Sequence, residues 1–218
     1  MKVLVFNGWA AGPETWALCE FPHDWVFDYV EQLNGLPEKV MEETDEAVLV
    51  GFSMGGSTAI RMLLKFPEKV KGLVLISATP RMMEAENWKG MSERRLAALH
   101  LGTQMVFKDD PSPMYREDNM QRGLDYLRNT DLRAELVARG RETEDGKREL
   151  PVWIFQSERD GIVRSSNAAF LKSVFPQARV TMVPGNEHVL PVTIPERIDE
   201  AVLAIVGQPS HGGGKWYN

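Results

Sequence analysis

Gly51-Phe52-Ser53-Met54-Gly55 sets a serine between two glycines in the pattern Gly-x-Ser-x-Gly. The apolar run Glu46-Ala47-Val48-Leu49-Val50 leads into it. Gly55 to Phe66 follows, with Ala59, Ile60, Met62, Leu63 and Leu64 at helical spacing. A serine on a sharp turn from strand to helix has its hydroxyl raised above the sheet. The flanking positions must be small for the backbone to pass closely, and Gly51, Gly55 and Gly56 meet that demand. The first N–H groups of the helix have no intrahelical acceptor, so a positive dipole end lies beside the serine. This setting, more than the three fixed letters, points to Ser53 Oγ as a nucleophile toward an acyl carbon.

A serine hydroxyl is a weak nucleophile until a base takes its proton. The candidate bases are His23, His100, His188 and His211. His188 ends the turn-rich Pro184-Gly185-Asn186-Glu187-His188, after an apolar run and before the last helical segment, where a parallel sheet presents loops at the carboxyl ends of its strands. An acid must then orient the imidazole and stabilise its charged form. Ser157-Glu158-Arg159-Asp160-Gly161 offers Glu158 and Asp160, and Asp160 is preferred because it leads into a tight turn at Gly161. The order Ser53, Asp160, His188 is the chain order expected of this chemistry. Two N–H donors must also meet the developing oxyanion. Met54 follows the serine, and Trp9 lies in the loop Asn7-Gly8-Trp9-Ala10 after the first apolar run; their backbone N–H groups are the candidates. Side chains of Met54, Trp9 and the Met and Leu residues beyond residue 80 are expected to wall an apolar acyl pocket.

Several short apolar runs must position these residues: Val3 to Phe6, Glu46 to Gly51, Gly72 to Ser77, Pro151 to Phe155, Ala178 to Val183 and a shorter Trp25 to Phe27. Continuous β-branched runs fit strands buried on both faces. Helical spacing recurs from Ser165 to Phe175 and from Pro191 to Val206, the latter with Ile194, Ile198, Val202 and Ile205 on one stripe. Alternating strands and helices make an α/β chain with a compact, mostly parallel sheet flanked by helices. Residues 81–149 break the alternation: they are rich in charge and methionine and read as several short helices. The expected division is a core of 1–80 and 150–206, a helical cap at 81–149, and a flexible glycine-rich tail at 207–218.

The chain of 218 residues carries a formal net charge of −6 and one cysteine, Cys19. That excludes a disulfide framework and fits a reducing, cytoplasmic compartment. The acidic balance, with no basic stretch interleaved with aromatics, argues against nucleic acid. The apolar start stops at Asn7-Gly8, too soon for a secretory signal, and no later run is long enough to span a membrane. Neither metal-ligand spacing nor a phosphate loop is visible, so no cofactor is implied, and a monomer is expected.

With these motifs in place, the chain resembles the α/β-hydrolase superfamily over nearly all of residues 1–206. Within it, Asn7-Gly8-Trp9 followed by Trp16, Gly51-Phe52-Ser53-Met54-Gly55-Gly56, Phe66-Pro67-Glu68-Lys69-Val70, Asn129-Thr130-Asp131-Leu132-Arg133 and Ile194-Pro195-Glu196 look like the pimeloyl-ACP methyl ester esterases of biotin synthesis. The resemblance implies a serine carboxylesterase acting on an acyl methyl ester. It implies a triad of Ser53, Asp160 and His188 and an oxyanion hole formed at Trp9 and Met54. It also implies an acyl carrier protein as partner, met by cap arginines, for which Arg94, Arg95, Arg122 and Arg128 are the candidates. Here Asn7 stands where that family has a histidine, and the stretch between Asn7 and Ser53 and the cap are both shorter. The triad is equally compatible with a small-molecule carboxylesterase or thioesterase, because its chemistry is indifferent to the acyl group. A binding module that kept the fold is the reading opposed by the intact triad.

Overall fold

The computed structural model describes residues 1–144 and 150–207. Its centre is a six-stranded parallel sheet in the order β2-β1-β3-β4-β5-β6. The strands are β1 (Lys2–Phe6), β2 (Trp25–Phe27), β3 (Ala47–Phe52), β4 (Val70–Ile76), β5 (Val152–Ser157) and β6 (Arg179–Val183). β3 lies in the middle and is buried at every position, which is why its sequence is apolar without alternation. β6 is an edge strand, and it shows the mixed exposure of one covered face.

Helices lie on both faces of the sheet. α1 (Tyr29–Leu33) and α2 (Leu36–Glu42) fill the connection from β2 to β3. α1 begins with a reciprocal capping box, Asp28 accepting from the Glu31 N–H and Glu31 accepting from the Asp28 N–H. α3 (Met54–Lys65) follows β3, and its apolar face joins Ala59, Ile60, Met62 and Leu63 to the core that holds Leu4, Leu49 and Leu73. Between β4 and β5 stand α4 (Glu93–Val106), α5 (Glu117–Asn129) and α6 (Arg133–Glu144), and Leu136 of α6 joins the core that holds Leu4, Leu49 and Leu73. α7 (Ser166–Val174) precedes β6, and α8 (Leu190–Thr193) and α9 (Pro195–Val206) close the described chain.

The single helix expected from Pro191 to Val206 is therefore two. Pro195 supplies no N–H to extend a preceding helix, and its ring clashes with the turn before it, so the chain restarts there. Ile198, Ala201 and Val202 then pack against Val3, Val5 and Val74 on the second face of the sheet. Cys19 is half-buried, its Sγ 3.6 Å from the Pro191 carbonyl. Burial, with Asp199 and Glu196 nearby, pushes its thiol up to about 12.

A third apolar cluster joins the segment between β4 and β5 to the core: Tyr29 and Met54 pack with Met82, Met83, Met91, Leu96, Met114, Leu124 and Leu127. The methionine-rich composition beyond residue 80 thus fills an irregular seam, a role that suits an unbranched, adaptable side chain. Among the described residues no helix is long and apolar enough to cross a membrane. The glycine-rich tail, His211 and the end of the expected helical insertion at 145–149 lie outside the described residues.

Candidate active site

β3 ends at Phe52, and Ser53 takes φ 53° and ψ −119° before α3 begins at Met54. For a non-glycine residue this is strained backbone, on the order of 1–3 kcal/mol, and it persists only where the surroundings enforce it. The glycines show how. A Cβ on Gly55 would lie 2.1 Å from the Phe6 carbonyl oxygen, and one on Gly51 would lie 2.6 Å from the Gly55 carbonyl oxygen. Only glycine lets β1, β3 and α3 converge beneath the serine. Ser53 is 7% exposed rather than freely displayed, and Met82, Leu99 and Leu127 from the segment between β4 and β5 line the same cavity.

Three loops at the carboxyl ends of the strands meet at Ser53. His188 Nε2 lies 2.9 Å from Ser53 Oγ, and His188 Nδ1 lies 2.8 Å from Asp160 Oδ2. Asp160 is buried and fully engaged. Its Oδ1 accepts from the N–H groups of Ile162 (2.7 Å) and Val163 (3.0 Å), while Oδ2 also accepts from Gln156 Nε2 at 3.2 Å. With its other oxygen and its second lone pair occupied, Oδ2 can meet the imidazole in only one direction. Glu158, the alternative acid, is exposed and makes no side-chain bond among the described residues. Neither His23 nor His100 bonds to Ser53: His23 Nδ1 meets the Phe21 carbonyl, and His100 sits 3.5 Å from Glu117 with its ring edge-on to Trp9.

The loop after β1 is tied down from several sides. Asn7 donates its N–H to Phe27 O and accepts at its own carbonyl from Gln32 Nε2. Its side-chain Oδ1 accepts from Trp16 Nε1 at 2.5 Å. The indole of Trp9 donates to the Met120 carbonyl at 3.3 Å and lies against Gly123 of α5, where a Cβ would be 2.3 Å from Trp9 Cδ1. Among the described residues, the backbone N–H groups of Trp9 and Met54 donate to no protein acceptor. Neither N–H is thus committed to another bond within the described chain.

A cavity of about 270 Å³ opens on Ser53 and His188, walled by Trp9, Phe52, Met82, Leu99, Leu127 and Ile162. The Met54 side chain, expected in that wall, is instead fully buried in the seam below, because the first turn of α3 faces inward. Among the described residues, one carboxylate, Glu14, and no lysine or arginine lines the cavity. The described residues hold no group of three or more His, Cys, Asp or Glu side chains able to bind a metal ion. The arrangement brings a hydroxyl, an imidazole and a buried carboxylate into one bonded line beside the cavity, the kinds of group that acyl transfer to water uses.

The four candidate arginines differ in their partners. Arg128 pairs with Glu93 and Asp125 at 3.1 Å each, and Arg95 donates to the Gly161 carbonyl beside the acid turn. Arg122 reaches Asn34 at 2.8 Å and Asn119 at 3.1 Å. Six residues separate Arg122 and Arg128 on α5, so they leave the helix about 120° apart. Arg94 is exposed on the first turn of α4.

The sequence model of the serine aminopeptidase S33 family matches residues 22–191. The chain belongs to this family of α/β hydrolases. It is a hydrolase. Among its relatives, the pimeloyl-(acyl-carrier protein) methyl ester esterase of Yersinia enterocolitica is 28% identical over 204 residues, covering 81% of this chain and 76% of that protein. The enzyme of the same name from Nitrosospira multiformis is 25% identical over 199 residues, covering 75% and 72%. Among solved structures, the esterase of Exiguobacterium antarcticum superposes with a TM-score of 0.69 at 18% identity, covering 94% of this chain and 92% of that one. That likeness is one of fold.

Gln156, Ser77 and Ser157 bond to Asp160, His188 and Glu187, and the sequence carries no sign of it: the partners lie between 4 and 111 residues away, and a buried serine or glutamine at a strand end has no local signature.

Proposed function

We propose that this hydrolase cleaves a carboxylic ester through Ser53, His188 and Asp160, with the Trp9 and Met54 N–H groups as oxyanion hole. The observation that carries this reading is the continuous relay from Ser53 Oγ through both His188 nitrogens to Asp160 Oδ2. Ser53 Oγ attacks the ester carbonyl while His188 Nε2 takes its proton. His188 Nδ1–H keeps its bond to Asp160, which stabilises the imidazolium. The carbonyl oxygen, now an anion, receives the two N–H donors, each contributing about 3–4 kcal/mol of barrier lowering. The imidazolium then protonates the departing alcohol. Water, activated by the same imidazole, releases the acid from the acyl-serine.

The substrate proposed is the methyl ester of a pimeloyl chain on acyl carrier protein. Relatives of that name align over about three quarters of their own length, and the apolar cavity fits an acyl chain without a charge at its reacting end. Hydrolysis of purified pimeloyl-carrier methyl ester, followed as loss of methyl ester, tests it. The second reading, a small-molecule carboxylesterase or thioesterase, gains from the arginines: Arg95, Arg122 and Arg128 already have partners within the chain. In the first reading, residues 81–149 act as a cap over a core of 1–80 and 150–206, and the enzyme works as a cytoplasmic monomer, in keeping with its single cysteine.

A further inference from the structure

We infer that two buried hydroxyls, Ser77 and Ser157, are positioning residues that set the place of the His188 ring by holding the backbone of its loop. Ser77 Oγ donates to the His188 carbonyl at 2.8 Å, and Ser157 Oγ donates to the Glu187 carbonyl at 2.5 Å. Both serines are 0% exposed. A buried hydroxyl must find an acceptor, and the nearest choice is usually its own helix or strand. These two instead reach across 111 and 30 residues to consecutive carbonyls.

Their placement makes them a clamp. Ser77 follows the last residue of β4 and Ser157 is the last residue of β5, two strands paired side by side in the sheet. The loop carrying His188 crosses above them. Side-chain bonding fixes the ring at its two nitrogens, but the distance from Nε2 to Ser53 also depends on where the backbone of the loop stands. A misplacement of about 1 Å at a reacting group can cost about 100-fold in rate. The hydroxyls of Ser77 and Ser157 fix that backbone from below.

The conformation of Ser77 supports a positional role. Its φ is 46°, strained for a residue with a Cβ, and glycine would sit there at less cost. Serine at this φ contributes what glycine lacks, the hydroxyl. Its N–H donates to the Phe155 carbonyl at 2.8 Å, so the strain is enforced by the sheet while the side chain points to the loop.

The inference rests on the reading of Ser53 and His188 as nucleophile and base, and the test keeps the two apart. Ser77→Gly removes the hydroxyl and relieves the strained φ; Ser157→Ala removes the other hydroxyl, and Ser157→Thr retains it. Steady-state hydrolysis of p-nitrophenyl butyrate, the rate of phosphonylation by a fluorophosphonate, and thermal unfolding are measured for each. Expected for Ser77→Gly is a melting temperature close to wild type, a kcat lower by about 10- to 100-fold with KM near wild type, and a matching fall in phosphonylation rate. Ser157→Ala should follow it in kcat, and Ser157→Thr should recover most of the loss. Wild-type kcat and phosphonylation rate in Ser77→Gly would overturn the clamp, whether or not Ser157→Ala folds. So would a Ser157→Thr variant as slow as Ser157→Ala. If wild type itself takes no phosphonyl group, it is the reading of Ser53 that fails.

Discussion

His188 Nε2 stands 2.9 Å from Ser53 Oγ across 135 residues of chain. The two come from loops that leave the sheet at different strands, β3 and β6, and neither would approach the other without β4 and β5 between them in register. Ser53→Ala should therefore abolish hydrolysis of p-nitrophenyl esters while shifting stability by no more than about 1 kcal/mol, since one hydroxyl bond is lost. Losses within such a unit do not add, so His188→Ala should be nearly as severe and the double variant no worse. Asp160→Asn should cost up to about ten-thousandfold, because the wrong tautomer is held. Glu158→Gln should be silent; a damaging Glu158→Gln with a silent Asp160→Asn would reassign the acid.

Gly55→Ala tests the elbow itself. Its new Cβ would meet the Phe6 carbonyl, a backbone atom of the central sheet that cannot swing aside. Destabilisation of about 3 kcal/mol is expected from overpacking, read as a lower urea midpoint. Gly102→Ala, where nothing lies within 4 Å of a Cβ, is the control and should be neutral or stabilising.

Much of this site could be read from sequence because its signals are local. The elbow is a five-residue pattern between a β run and a helix, and the acid and histidine follow in turn-rich loops after later strands. What could not be read are pairings across the sheet. Gln156 shares Asp160 Oδ2 with His188, and Asn7 holds Trp16, but a glutamine in a strand or an asparagine in a turn looks the same with or without such a partner. The break between α8 and α9 was written in the sequence as Pro195, yet the apolar stripe running across it reads as one helix.

Asp131 gives a pH signature away from the site. Hydrogen bonds from Arg133 hold its carboxyl at about 2, with the charge of Arg81 adding, against an ordinary value of 3.8. A carboxyl with its folded pKa below its unfolded one stabilises the fold fully above the unfolded value and loses that contribution as pH falls toward the folded one. The stability difference between wild type and Asp131→Asn should thus be flat near neutrality and shrink from about pH 4 to about pH 2 in urea titrations. A difference that stays constant through that window would show that the pair adds nothing specific to the charged form.

Carrier recognition has its own test. If the substrate rides on an acidic carrier, kcat/KM for the carrier-linked ester should fall as salt rises to about 0.5 M, while a small neutral ester barely responds. Arg94→Glu should reproduce that loss without disturbing the fold, since Arg94 is exposed, whereas reversing Arg128 would also break its pairs with Glu93 and Asp125. Equal salt response for both esters favours the small-molecule reading.

The central claim is that Ser53 is a nucleophile activated by His188. Peptide mapping by mass spectrometry after brief exposure to a fluorophosphonate tests it most directly. A single phosphonyl group on the peptide containing Ser53, formed rapidly in wild type and nearly absent in His188→Ala, is the predicted result. Labelling at another residue, or equal labelling of Ser53 with and without His188, would contradict it.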